Sequence, residues 1–221
     1  MKSELSSKDL ISLVKLQLNN FFGASGDIES YIEIALERAS KCFKVTKSKY
    51  YNNETEVTFS PFHSGQYSIF LYYLANTVYR EGGDSKLSEK LYYLNKVMNS
   101  VDWYYEIELP EYFGVEHPIG SVLGRAKYSD GFFLFQGCTV GGDKGLNPRY
   151  PQIGKNVILY SNSTVLGDVR IGDNVVIATG TTIINESVPD CCFVFGKSPN
   201  LIIKKNELAE MKEHISDFWI L

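Results

Sequence analysis

Cysteine is scarce in this chain, with four in 221 residues, at positions 42, 138, 191 and 192. No two stand in a Cys-x-x-Cys spacing, and adjacent Cys191 and Cys192 rarely pair with each other. A structural zinc site and a disulfide scaffold are therefore not expected. Excess positive charge is missing too. With 22 Lys and Arg against 26 Asp and Glu, the net charge is −4, which leaves no basic footprint for nucleic acid or an anionic membrane surface. The N-terminal MKSELSSKDL is polar and lacks an apolar signal core. No apolar run reaches the roughly 18 residues that a bilayer span needs. No Walker A loop, Rossmann fingerprint or metal cluster is visible, so nucleotide hydrolysis, hydride transfer and metal chemistry lack support. These absences point to a soluble protein of a reducing cytosol. What is present is a composition able to bury a core, 44% hydrophobic and 22% charged, long enough for one large domain or two small ones.

The first hundred residues carry helical punctuation. Ser7 is placed to cap a helix bearing Leu10, Ile11, Leu13, Val14, Leu18 and Phe21, and Gly23 ends it. Asp27 is placed to cap a second, with Ile28, Tyr31, Ile32, Ala35, Leu36 and Ala39 on one face. A third, from about Ser64 to Arg80, is apolar nearly all round and is expected to be buried. A fourth carries Leu87, Leu91, Leu94, Val97 and Met98, and residues 43–62 read as extended or looped.

After Pro110 the period changes. Stepping back by six from Ile183 gives Ile177, Ile171, Val165, Leu159 and Ile153, and Val140, Leu134, Tyr128 and Val122 keep the same spacing further back. The two runs are separated by GGDKGLNPRYPQ (141–152), and removing seven residues there restores the phase. A six-residue repeat means a very short strand and a turn, over and over, with three units closing one triangular coil. Each comb residue then points into a prism. Asp173-Asn174, Asn162 and Gly180 supply turn chemistry, and small residues at Ser163, Thr181 and Ser187 let the coil close. A right-handed parallel helix or an all-β sandwich would have longer, less regular rungs. The expected fold class is α+β: a helical domain over 1–109, a parallel β-helix over 110–205 and a helical tail over 206–221.

The units Ile153-Gly154-Lys155-Asn156-Val157-Ile158 and Ile171-Gly172-Asp173-Asn174-Val175-Val176 resemble those of hexapeptide-repeat acyltransferases. Within that group the chain is similar to serine acetyltransferases, which also place a helical domain before the prism. The matches are Phe113-Gly114-Val115, His117-x-x-Gly120-x-Val122-x-Gly124, Gln136-x-x-Thr139-Val140-Gly141-Gly142 and Arg149-x-Pro151-x-Ile153-Gly154. Val165-Leu166-Gly167-Asp168 and Val188-Pro189 through Gly196-x-Ser198-Pro199 also fit. The resemblance implies a left-handed prism. It also implies acetyl-CoA as the acyl donor, a small-molecule acceptor, no metal, and a homotrimer or a dimer of trimers with its active groove between subunits. The sequence departs from the family at three places. Tyr150 stands where a His is usual, Glu116 where an Asp is usual, and the stretch 113–117 is shorter by roughly one coil. These are positions the family uses for its amino-acid acceptor, so acetyl transfer to oxygen carries over more firmly than serine does.

An alcohol is a poor nucleophile at neutral pH and needs a general base, a task suited to imidazole. Of three histidines, His117 matches the family base, with Glu116 or another carboxylate to orient it; the bland alternative is packing at the domain junction. His63 reads as structural or capping, and His214 as exposed on the tail. In the loop 141–152, Gly141 and Gly142 bare backbone N–H groups toward a pantetheine amide or a developing oxyanion. Arg149 offers a cation and Tyr150 a hydroxyl donor, unless the loop merely makes a subunit contact. By resemblance, Ser161, Ala178 and Thr179 line the coenzyme groove, and Lys197, Lys204 and Lys205 are candidates for its phosphates. The tail ends in Phe218-Trp219-Ile220-Leu221, and Leu221 loosely matches the C-terminal residue that serine acetyltransferases offer to the next enzyme of cysteine synthesis. Packing on its own trimer is the expected use. The expected function is acetyl-CoA-dependent O-acetylation, of L-serine first. Transfer to a sugar hydroxyl or amine in glycan assembly, or a catalytically silent prism scaffold, are the alternatives.

Overall fold

The computed structural model describes residues 1–23, 26–52, 56–144 and 147–220. They divide into two compact units, Met1–Glu106 and Ile107–Leu221.

The first unit runs β1 (Lys2–Ser3), α1 (Ser7–Phe22), α2 (Glu29–Val45), β2 (Thr58–Phe59), α3 (Ser64–Arg80), α4 (Ser85–Asn99) and β3 (Asp102–Trp103). The cap of α1 is Ser6, one residue earlier than the sequence suggests: its Oγ accepts from the Asp9 amide at 3.1 Å. Asp27 accepts from the Glu29 amide at 3.1 Å and so serves the first turn of α2, although Ile28 holds the cap position. α3 is buried on every side from Gly65 to Val78. Its polar groups are satisfied internally, as burial demands. Arg38 donates to Asn76 Oδ1 at 2.7 Å and to Thr77 Oγ1 at 2.8 Å, while its guanidinium lies 4.5 Å from the Tyr73 ring centroid. His63 caps α3, its Nδ1 accepting from the Gln66 amide at 3.3 Å, so its role is structural, as expected.

The second unit winds through β4 (Phe113–Val115), β5 (Val122–Leu123), β6 (Phe132–Leu134), β7 (Thr139–Gly141), β8 (Gln152–Ile153) and β9 (Ile158–Leu159). It continues through β10 (Thr164–Leu166), β11 (Arg170–Ile171), β12 (Val175–Ile177), β13 (Thr182–Ile184), β14 (Cys192–Lys197), β15 (Asn200–Lys205) and α5 (Leu208–Ile215). The strands stack as parallel ladders on three faces, the left-handed parallel β-helix of the expected fold class. The first face is β5-β7-β10-β13, the second β8-β11, and the third β4-β6-β9-β12-β14. Val165 sits opposite Ile183, 18 residues on, whereas Val140 sits opposite Val165, 25 residues on. The seven-residue excess is the insertion read from the sequence. Nine comb residues are buried, from Tyr128 at 8% exposure to Leu134, Val140, Leu159, Val165, Ile177 and Ile183 at 0%.

The tenth tooth is a correction. Val122 is 38% exposed and pairs with Thr139 on the outside; Leu123, at 1%, faces inward opposite Val140. The corner after Leu123 is one residue short, closed by the Tyr128 hydroxyl donating to the Gly124 carbonyl at 2.8 Å. With a period of two, a slip of one residue swaps faces. Beneath the corner leading into the first face lies a column of small buried residues, Ser121, Cys138, Ser163 and Thr181. Cys138 occupies a serine-like place, 3.5 Å from Ser163 Oγ.

The tail packs on its own chain. The outward residues of the third face, Phe133, Ile158, Val176 and Phe193, align in register, and Ile158 and Val176 are buried there. Over this face lie Met211, Ile215, Phe218 and Trp219, all buried, with Phe133 4.9 Å from Phe218 between ring centroids. Gly114 is required for that seat, since a Cβ there would stand 2.4 Å from the Phe133 ring and 2.9 Å from Trp219. His214 is half-buried rather than exposed, edge-on to Phe193 at 5.3 Å. Leu221 lies outside the described residues.

Candidate active site

Two edges of the first face carry the candidate chemistry. The edge by which the chain enters this face begins with His117. Its backbone is left-handed, with φ of 50°, a conformation uncommon for a residue with a Cβ. The turn is pinned by Glu116 N–H donating to Leu134 O at 3.1 Å and Ile119 N–H donating to His117 O at 2.7 Å. The imidazole projects outward with 77% of its side chain exposed. Glu116 Oε1 lies 3.9 Å from His117 Nε2, close enough to attract a protonated ring and too far for a hydrogen bond.

His117 and Pro118 lead into the corner proper, which Gly120 holds at φ of 74° and which recurs in each coil below. Gly137, Asn162 and Gly180 hold it at φ of 67°, 60° and 71°. Successive coils are tied by Gly137 N–H to Ile119 O at 2.9 Å, Asn162 N–H to Gln136 O at 2.8 Å and Gly180 N–H to Ser161 O at 2.9 Å. Ser161, Ala178 and Thr179 belong to this edge. Ser161 and Ala178 are half-buried and Thr179 is exposed. The structure thus brings the candidate base and three candidate groove residues into one line along the prism axis.

The opposite edge, where the chain leaves the first face, carries the loop. Gly141 closes β7 opposite Leu166. Gly142 is packed against Tyr150: a Cβ there would meet the ring at 2.6 Å and the Arg149 carbonyl at 2.9 Å. Arg149 is engaged by two carboxylates. Asp143 Oδ2 accepts from Nη2 at 2.9 Å and Nε at 3.2 Å, and Asp168 Oδ2 accepts from Nη1 at 3.1 Å. Asp143 Oδ1 also accepts from the Arg149 amide at 2.7 Å. These bonds, the backbone one foremost, hold the Asp143 carboxyl below the usual carboxylate range. Sequence reasoning missed Asp143 and Asp168 as Arg149's partners. The signal was the repeat itself, because Asp168 stands 19 residues after Arg149, about one coil.

Gly141, Gly142, Arg149 and Tyr150 therefore share one edge of the first face, and His117, Glu116, Ser161, Ala178 and Thr179 the other. Lys204 and Lys205 lie on neither. They end β15, paired with Phe193 and Cys192 across the third face. No group of three or more His, Cys, Asp or Glu side chains suited to a metal ion occurs among the described residues. No helix among them is long and apolar enough to cross a membrane.

The chain is similar to known proteins. Residues 150–185 match the family model "Bacterial transferase hexapeptide (six repeats)". A serine acetyltransferase of Synechococcus elongatus is 29% identical over 126 residues, covering 56% of this chain and 51% of that protein. One of Staphylococcus aureus is 34% identical over 94 residues, 42% of this chain and 43% of that protein. The chain thus spans about half the length of these curated relatives. Among solved structures, the Neisseria gonorrhoeae serine acetyltransferase aligns with a TM-score of 0.65 at 20% identity, over 91% of this chain and 82% of that one. A serine acetyltransferase in complex with cysteine aligns with a TM-score of 0.71 at 19% identity, over 90% and 80%. These structures share the fold.

Proposed function

We propose that this chain, similar to serine acetyltransferases over its prism, transfers the acetyl group of acetyl-CoA to a hydroxyl, that of L-serine first, in the opening step of cysteine synthesis. His117 takes the hydroxyl proton as the oxygen attacks the thioester carbonyl. The tetrahedral oxyanion is held by backbone N–H groups at Gly141-Gly142, and the coenzyme leaves as a thiolate that recovers the proton from the imidazolium. Glu116 attracts that imidazolium. The observation that carries this reading is the alignment of His117 with Ser161, Ala178 and Thr179 on one ladder-bonded edge, a track for an extended ligand with a base at its head.

The base and the loop stand at opposite edges of the first face within one chain, so a complete site takes the base edge of one copy and the loop edge of another. A homotrimer meets this need, or a dimer of trimers joined through the helical units. Such packing also covers an imidazole that is 77% exposed on a single chain. A reducing cytosol suits the four free cysteines.

The test is release of free thiol from acetyl-CoA, with and without L-serine. Serine-dependent release supports the reading; coenzyme binding without a serine response shifts the acceptor. One observation favours a sugar acceptor in that event. Arg149 already carries two carboxylates, which leaves it poorly placed for the carboxylate of an amino acid, and Tyr150 presents a neutral phenol. Mass identification of O-acetylserine or of an acetylated sugar separates the two.

A further inference from the structure

The outer surface of the third face has a second column beside the one that seats the tail. Val115 pairs with Leu134, and one residue further Glu116 N–H donates to Leu134 O at 3.1 Å. In the same way Phe135 N–H donates to Leu159 O at 3.0 Å, and Tyr160 N–H to Ile177 O at 2.9 Å. Val115, Leu134, Leu159 and Ile177 are buried in the prism. Glu116, Phe135, Tyr160 and Ala178 each follow one of them, so they point outward and stand about 4.8 Å apart down the ladder. β4 is the last strand of this face, so Glu116 heads the column with Phe135 below it. The Phe135 ring stacks on Tyr160, with centroids 5.0 Å apart and planes 9° from parallel. Tyr160 is held in turn by the tail. Its Oη lies 3.4 Å from His214 Nε2, and Phe218 stands edge-on to both rings, 6.3 Å from Phe135 and 6.2 Å from Tyr160. Burial foremost, then the carboxylates of Asp217 and Glu116, hold the Tyr160 phenol above its ordinary range, so it stays protonated beside His214.

We infer that Phe135 and Tyr160, clamped by His214 and Phe218 of the tail, are positioning residues that hold the Glu116 carboxylate against His117. The inference rests on the reading of His117 as the base, and it gives the tail a part in the reaction as well as in the fold. Glu116 and His117 need such a support. Their side chains are 56% and 77% exposed, and an ion pair between two exposed, freely turning side chains is worth little in water. The ring stack changes this in two ways. It blocks the rotamers that would carry the carboxylate down the face and away from the imidazole. It also puts carbon where water would stand on one side of the pair, which strengthens the attraction to an imidazolium.

The test is a double-mutant cycle on the full chain, read as kcat and as KM for acetyl-CoA. Tyr160→Ala lets the Phe135 ring tip into the vacated space, and kcat should fall about tenfold with KM for acetyl-CoA within about twofold of the parent. Tyr160→Phe keeps the stack and should recover kcat to within about twofold. Phe218→Leu keeps an apolar side chain in the tail's seat but not the ring, and should lose about threefold in kcat. In a Glu116→Gln background, Tyr160→Ala should cost less than about twofold more, because the carboxylate it positions is gone. The inference is overturned if Tyr160→Ala keeps the parental kcat, if Tyr160→Phe loses as much as Tyr160→Ala, or if the loss is undiminished beside Glu116→Gln. A raised KM for acetyl-CoA with kcat intact overturns it too, since Tyr160 would then touch the donor. Should Tyr160→Ala fail to fold, the cycle is run with Tyr160→Leu, and full additivity with Glu116→Gln has the same force. Turnover retained in His117→Ala removes the base reading and this inference with it; a His117-dependent enzyme with a silent Tyr160→Ala removes the inference alone.

Discussion

The two edges of the first face are made from the same repeat and solve opposite problems. The entry edge is regular: Gly137, Asn162 and Gly180 repeat one left-handed turn, and backbone hydrogen bonds tie each coil to the next. The exit edge is interrupted by the insertion and held by side chains, with Arg149 bridging Asp143 and Asp168 and Tyr150 lying on Gly142. A backbone ladder gives a fixed, sequence-tolerant track. A charge-clamped loop gives an adjustable wall whose chemistry depends on each residue in it. On the proposed reading the entry edge holds the donor and the exit edge selects the acceptor.

The comparison can be broken most sharply at the head of the entry edge. His117→Ala should lower kcat by about 10²- to 10⁴-fold, the usual worth of a general base, and leave coenzyme A affinity in place. Retained turnover in a steady-state thiol assay would remove His117 from the chemistry. On the exit edge, Gly142→Ala forces the Tyr150 ring aside, and about tenfold to 100-fold should be lost in kcat/KM for the acceptor, with KM for acetyl-CoA unchanged. An equal loss toward both substrates would mean the edges are not separate in function.

Smaller effects sharpen the contrast. Asn162→Ala places a less tolerant residue at φ of 60° and should cost about 1–2 kcal/mol in urea unfolding, without a specific kinetic defect. Asp168→Asn removes one exposed partner of Arg149 and should leave stability nearly unchanged, while shifting acceptor KM. The weakest signal is in pH. The Asp143 carboxyl is held below its ordinary range, so its stabilisation is complete above the unfolded carboxylate pKa of about 3.9 and is lost as pH falls through the lower folded value. The Arg149 Nε–H resonance should therefore hold its position from neutral pH to about 4 and move only below that. Movement between pH 5 and 7 would show that a different group sets the clamp.

Much of this architecture could be read in the sequence because the prism repeats. Comb residues from Tyr128 to Ile183 face inward, and the seven-residue excess in the register is the insertion at 141–152. The misplaced tooth, Val122 for Leu123, came where a corner is one residue short, and a spacing rule has no means to detect that. The partners of Arg149 were hidden because they are set by stacking between coils, not by neighbourhood in the chain. The tail was read as a helix with an apolar end, but its seat on the third face needed Gly114, Phe133 and Phe193 to be seen in one column. For the helical unit, periodicity located α3 and its burial. It did not reveal that Arg38 would satisfy the polar groups of α3 from α2.

Ladder partners along the prism stand between 15 and 25 residues apart, as in Thr182–Lys197, Ile177–Val194, Val165–Ile183 and Val140–Val165. Each coil touches only the coils before and after it, so the prism behaves as a one-dimensional array, and such arrays fray from their ends one unit at a time. The tail changes that behaviour. Its rings reach Tyr112, Phe133, Phe135, Tyr160 and Phe193, which span the array from the first rung of the third face to the last. A helix and two aromatic residues laid across every rung turn a stack that would unzip gradually into a block that melts all at once.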